Sequence, residues 1–282
     1  IDVFWITGGN FLETVPDEER SRRALASPAL RVHQDIVLSS SMLVPPSDAV
    51  LLLPAATRYE TPGGVTETST ERRIIFSPEI PGRRIGSARP EWEVFFDVAR
   101  RARPDRAAAL AASDLSALRE EIAEAIPLSR GIETLEKQGD SVQWGGERLY
   151  ADGRFATPDG KARFAVVRPP AQSRRDGVFT VSTRRGKQFN SMVQRETDPL
   201  TGADREDVLI AAEDAASLGI SSGDSVRLVS EAGLFEGHAR IAPIKPGNLE
   251  VHWPEGNALL GTQIDPDSGE PDYNARVRVE KT

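Results

Sequence analysis

Two rhythms of apolar residues divide the chain. In the first 127 residues, short apolar runs alternate with stretches of helical spacing. Val3-Phe-Trp-Ile-Thr7 predicts a strand, ended by Gly8-Gly9-Asn10. Leu30–Ile36 predicts a second, and Ala49–Leu53, closed by Pro54, a third. The third is apolar on both faces, the pattern of a strand covered by helices. Helical segments fit between these strands, a short one within Ser41–Asp48. The order β-α-β-α-β predicts a parallel sheet. Two longer helices follow. Glu91–Arg101 begins after Pro90, with acids leading and bases trailing, as the helix dipole favours. The next begins near Ser113-Asp114. Its Leu115, Leu118, Ile122 and Ile126 form one apolar stripe, and Pro127 stops it.

From Gly177 the rhythm changes to short alternating runs bounded by turn signals. These are Val178–Ser182, the run from Val208 with a one-turn helix and a Gly219 stop, then Ser225–Ser230 after Gly223-Asp224. Leu234–Ile241, Leu249–Trp253 and Arg276–Glu280 complete the set. Alternation within them predicts a sheet with one buried face, closed as a small barrel or packed as a sandwich. Between the two regions, residues 128–175 are irregular and rich in Gly, Asp and Arg. Their aromatic residues, Trp144, Phe155 and Phe164, predict an ordered connection, since they would otherwise be stranded in water. The expected domains are therefore 1–127, a connection over 128–175, and 176–282.

Composition narrows the function. Over 282 residues the net charge is −8, which argues against a nucleic-acid partner. Local basic clusters remain, Arg83-Arg84 and Arg184-Arg185-Gly186-Lys187. No apolar run approaches the ~20 residues that span a bilayer, so no membrane partner is expected. Residues 1–6 lack the basic start of a signal peptide, and a cytoplasmic location is expected. The chain opens inside a strand without Met, which predicts a portion of a longer polypeptide. Cysteine is absent, excluding disulfides and thiolate metal sites from these residues. His33, His238 and His252 are far apart in sequence, so neither a metal site nor a catalytic residue is expected here. No P-loop, HExxH or Ser-His-Asp pattern is present.

Four segments could bind a ligand. Gly8-Gly9-Asn10 directly follows a strand, where glycine permits close approach of a nucleotide or simply makes a tight turn. Gln34-Asp35 ends the second strand; the Asp could accept from the ring N–H and amine of guanine, or cap a helix. Thr183-Arg184-Arg185-Gly186-Lys187-Gln188-Phe189-Asn190 suits charge-assisted contact with a diphosphate, although a basic loop can also be solvated surface. Trp253-Pro-Glu-Gly-Asn257 and Asp272-Tyr273-Asn274 form the last group, readable as ordinary turns.

Taken in order, these pieces resemble the C-terminal portion of molybdopterin-dependent oxidoreductase alpha subunits of the formate-dehydrogenase type. The resemblance extends through Asp35-Ile-Val-Leu, Ser47-Asp48 to Pro54-Ala-Ala, Glu60-Thr-Pro-Gly-Gly, Glu71-Arg72-Arg73 and Phe155–Phe164. Departures are Phe11 for the usual Pro, Ser69-Thr70 where Asn is common, and Asn274 where Lys is common. The resemblance implies an α/β portion with a parallel sheet, followed by an all-β, six-stranded double-psi β-barrel. It also implies bis-molybdopterin guanine dinucleotide with Mo or W in the full-length protein. The residues implied to touch it are Gly8, Gly9, Asn10, Gln34, Asp35, Thr183, Arg184, Lys187, Gln188, Phe189, Asn190, Asn257 and Tyr273. In such subunits the metal's protein ligand lies upstream, so these residues alone are expected to be inactive and to hold no cofactor. The expected partners are the remainder of the polypeptide and an electron-transfer subunit. The alternative is a non-catalytic double-psi barrel module for protein or peptide binding, attached to an unrelated α/β domain.

Overall fold

A computed structural model describes residues 1–82, 84–168, 177–186 and 195–282. The chain forms two compact units: Ile1–Gly9 with Ala29–Leu38 and Asp48–Arg168, and Asn10–Pro28 with Ser39–Ser47 and Pro169–Thr282.

In the first unit, β1 (Val3–Thr7), β2 (Leu30–Asp35) and β3 (Ala49–Pro54) form a parallel sheet in that order. Thr7 pairs with Gln34 and Gln34 with Leu53, so the strands' C-terminal ends are level. A parallel bridge from Ala55 to Arg89 extends this edge toward the start of α3 (Glu91–Ala102). Glu91 and Glu93 in its first turn and Arg100 and Arg101 in its last oppose the helix dipole. The helix meets the sheet where Phe95 packs on Trp5, ring centroids 5.3 Å apart. The expectation of a covered third strand is corrected here. Leu51 and Leu52 point to opposite faces of β3 and are 47% and 46% exposed.

The same unit holds a second sheet that hydrophobic patterning does not predict. It is antiparallel, with β4 (Val65–Thr68), β5 (Arg73–Ser77) and β6 (Ser141–Gln143) in order. Together with α4 (Leu115–Ala125) it buries Ile74, Phe76, Ala123, Ile132 and Leu135. The strands are short, and β4 is rich in Thr and Glu, which reads as loop. Residues 128–143, expected in a connection, thus supply a strand. Trp144 packs on this core and Phe155 stacks on Tyr150 at 4.8 Å. Phe164, in contrast, is 95% exposed, against the expectation of a packed aromatic.

The second unit contains β7 (Phe179–Arg184), β8 (Asp207–Ile210), β9 (Ser225–Val229), β10 (Leu234–Ile241), β11 (Asn248–His252) and β12 (Asn274–Lys281). They close a barrel in the order β10-β8-β11-β7-β12-β9. The pairs β7·β11 and β8·β10 are parallel and the remaining pairs antiparallel. Two parallel pairs in a closed six-stranded barrel fit the double-psi topology. Period-two alternation sends Val181, Val208, Ile210, Leu228, Leu249, Val251 and Val277 inward. After β8, α5 (Ala212–Leu218) ends at Gly219, whose φ of 64° makes the left-handed cap glycine tolerates. Also in this unit are α1 (Phe11–Thr14), α2 (Glu18–Ala26) and a 3-10 turn at Ser40–Leu43. Trp253 Nε1 donates to Thr14 O at 3.3 Å and Asn257 Nδ2 to Glu13 O at 3.1 Å, tying α1 to the barrel. Among the described residues, no helix is long and apolar enough to cross a membrane.

Candidate cofactor site

Because β7 and β11 run parallel, their C-terminal ends emerge together. Thr183 lies beside Val251, and Arg184 beside His252. The antiparallel β12 starts at this end, with Asn274 opposite Ser182 and accepting from its hydroxyl at 3.2 Å. Tyr273, just before β12, falls there as well. The 3-10 turn Glu255–Leu259 closes over the strand ends. A Cβ on Gly256 would stand 2.5 Å from Val251 Cγ2 and 3.0 Å from Thr183 Cγ2, so glycine permits this approach and brings in Asn257. The structure therefore gathers Thr183, Arg184, Asn257 and Tyr273 at one end of the barrel. Lys187, Gln188, Phe189 and Asn190 lie outside the described residues.

The charges at this end are interlocked. Arg184 is held between Asp198 at 3.0 Å and Glu250 at 3.1 Å, with its side chain 30% exposed. Asp198 is fully buried and also accepts from Leu200 N at 3.0 Å and the Thr201 hydroxyl at 3.1 Å. Arg205 pairs with Glu255 and donates to Trp253 O at 2.9 Å. Arg185 lies over the Trp253 ring, 5.8 Å from its centroid. Three guanidinium groups and three carboxylates thus share this end, and planar guanidinium forks suit carboxylate or phosphate anions.

His252 is fully buried within this cluster, and among the described residues neither ring nitrogen has a hydrogen-bond partner. Burial, and then the nearby Arg205 and Arg184, push its pKa below the ordinary value, so the imidazole is neutral. Asn257 Oδ1 is likewise buried without a partner, while its amide nitrogen is spent on Glu13 O. Buried polar atoms left unpaired cost about 1–3 kcal/mol each. A ligand carrying both donors and acceptors, with negative charge, would relieve that cost, so these residues fit a molybdopterin dinucleotide.

Sequence reasoning missed Asp198, Arg205, Glu250 and His252 as members of this cluster. His252 carried a usable signal. It ends a strand directly before Trp253-Pro-Glu-Gly-Asn257, and alternation with the inward Leu249 and Val251 turns it outward beside Glu250. For Asp198 no local signal exists beyond a Thr-Asp-Pro turn.

Other predicted residues sit in the first unit, at the C-terminal edge of its parallel sheet. Gly8 and Gly9 have φ of 67° and 83°, and a Cβ on either would meet open space. Gly8 N donates to Gln34 O at 2.9 Å. Gln34 is fully buried, and neither atom of its side-chain amide has a partner among the described residues. Asp35 accepts from Ile36 N at 2.7 Å. Asn10 is grouped with the barrel unit instead. Its Nδ2 donates to Ser40 Oγ at 2.9 Å and its Oδ1 accepts from Ser41 Oγ at 2.6 Å, so its side chain joins α1 to the 3-10 turn.

Comparison with known proteins bears on both units. Residues 179–277 match the family described as Molydopterin dinucleotide binding domain. The chain is 32% identical to a nitrate reductase of Synechocystis over 184 residues, 59% of the chain and 24% of the relative. It is 27% identical to the F420-dependent formate dehydrogenase subunit alpha of Methanocaldococcus jannaschii over 284 residues, 94% of the chain and 41% of the relative. Its fold is similar to part of acetylene hydratase from Pelobacter acetylenicus, with a TM-score of 0.69 at 15% identity, covering 100% of this chain and 44% of that one. The chain thus spans less than half the length of these relatives. The barrel is thus a molydopterin dinucleotide binding domain, and the chain is similar to portions of a nitrate reductase and of a formate dehydrogenase alpha subunit.

Proposed function

We propose that the chain is the cofactor-binding C-terminal portion of a formate-dehydrogenase-like oxidoreductase, holding bis-molybdopterin guanine dinucleotide with Mo or W. The observation that carries this reading is the extent of the alignments. Formate dehydrogenase alpha subunits align over 94% and 98% of the chain. When bound, the metal and pterins supply the two-electron chemistry, and the protein binds and orients them. At the barrel end, Arg184 presents a guanidinium already fixed by two carboxylates, so little ordering is lost when an anion docks. Thr183, Asn257 and Tyr273 complete the polar rim, with Lys187, Gln188, Phe189 and Asn190 as sequence-based members. In the sheet unit, Gly8 and Gly9 admit a ligand close to the backbone, while Gln34 and Asp35 pair with a guanine edge. The remainder of the polypeptide supplies the metal's protein ligand, and a further subunit accepts the electrons. The isolated 282 residues should neither retain metal nor turn over substrate.

A nitrate-reducing relative is favoured by one observation, the 32% identity to nitrate reductase, although over only 59% of the chain. Assays of the complete purified polypeptide separate the two readings. Formate-dependent dye reduction, with Mo or W and pterin present, is expected. Nitrate reduction without formate oxidation would assign the enzyme to the second reading.

A further inference from the structure

We propose that His252 is a proton-linked member of the anion site at the barrel end: an anionic diphosphate docking beside Arg184 draws one proton onto its imidazole. The inference rests on the reading of this end as a dinucleotide site and adds a residue to it.

The geometry carries the argument. His252 ends β11 opposite Arg184 on β7, and both turn away from the barrel core. Its ring is fully buried, with both nitrogens unpartnered among the described residues. The charged groups around it come from every neighbouring element. Arg184 lies on β7, Asp198 and Arg205 on the segment between β7 and β8, and Glu255 on the turn after β11. Glu250 shares its strand and reaches Arg184. Burial opposes charge on the ring most strongly, and the two guanidinium groups outweigh the two carboxylates that act on it, so the imidazole is neutral. A doubly esterified diphosphate adds two negative charges and changes that balance. The proton comes from solvent. Both ring nitrogens then donate, to phosphate oxygens or to a carboxylate displaced from Arg184, and two orphaned buried atoms gain partners together.

The test uses the chain with selectively 13C-labelled histidine and excess GDP-mannose, whose doubly esterified diphosphate does not titrate near neutral pH. Its reversible docking is distinct from the retention of metal and pterin, which is not expected of these residues alone. NMR follows the three imidazoles over about pH 5.5 to 7.5. His252 is assigned by loss of its resonance in His252→Phe. With ligand, the His252 midpoint should rise by about one unit or more, while that of His33 stays in place. Wild-type affinity should tighten by up to about tenfold per unit fall in pH, and the His252→Phe variant should bind with little pH dependence. Ligand binding that leaves the His252 resonance unmoved would overturn the proposal alone. So would a His252→Phe variant that keeps the wild-type pH dependence. Failure of GDP-mannose to bind at any pH would overturn both the proposal and the reading of the barrel end as a diphosphate site.

Discussion

Arg184 illustrates how a residue can be legible in type and illegible in environment. A guanidinium in a basic loop after a strand points to an anion, and that much follows from the local sequence. Its two carboxylate partners do not, because Glu250 lies 66 residues away and reaches it only through the β7·β11 register. The pairing changes what a mutation should do. Arg184→Ala removes one of several partners of the buried Asp198, and losing a hydrogen bond between charged groups costs about 1.5–3 kcal/mol. A stability loss of that size, read from urea unfolding, is expected. Arg184→Lys keeps the charge but loses the planar fork. In the complete polypeptide it should retain the fold while pterin content drops, a loss of about 1.5–3 kcal/mol in cofactor binding. Normal pterin content in the Lys variant would count against the assignment.

Two histidines set a pH dependence at the same scale. His33 and His252 are buried, and burial is the first cause lowering both pKa values below the ordinary 6.5. Below that value the unfolded chain binds protons that the folded chain resists. Stability is therefore fully present above about pH 6.5 and is lost as pH falls toward the lowered folded values. Thermal midpoints measured from about pH 7.5 down to 5 should decline, and His252→Phe should flatten part of the decline. A flat profile in the wild type would contradict the neutral, buried assignment.

Among elements, patterning is informative where periodicity is strong. The strands of the parallel sheet, α3, α4 and the barrel strands all fall close to where apolar spacing predicts them. The β4–β6 sheet is not legible, because its strands are short and Thr66, Glu67 and Thr68 of β4 alternate too weakly to announce a buried face. The segment after β1 is legible as helix but not in its allegiance. A crossover between parallel strands is expected to serve its sheet, yet α1 is bonded to the barrel through Trp253 and Asn257. Asn257→Ala removes the bond to Glu13 O, worth about 1 kcal/mol. Amide exchange in α1 and α2 should then quicken while β9 stays protected. Unchanged exchange in α1 would show that this bond does not hold the segment.

For the whole molecule, linear boundaries near 127 and 175 do not coincide with the compact units, since segments 10–28 and 39–47 interleave with the sheet strands along the chain and group with the barrel. Such interleaving is set by tertiary contacts and leaves no compositional mark. The sequence resemblance nonetheless agrees with the family that the barrel matches, because it rests on an ordered series of short motifs in both units. The central claim concerns the barrel end, where Thr183, Arg184 and Asn257 converge and buried polar atoms of His252 and Asn257 lack partners among the described residues. The most direct measurement is an experimental structure of the complete, cofactor-loaded protein. The account predicts dinucleotide atoms within hydrogen-bond distance of Arg184 and of Asn257 Oδ1. A bound cofactor that touches neither residue, with Arg184 still engaged only by Asp198 and Glu250, would contradict it.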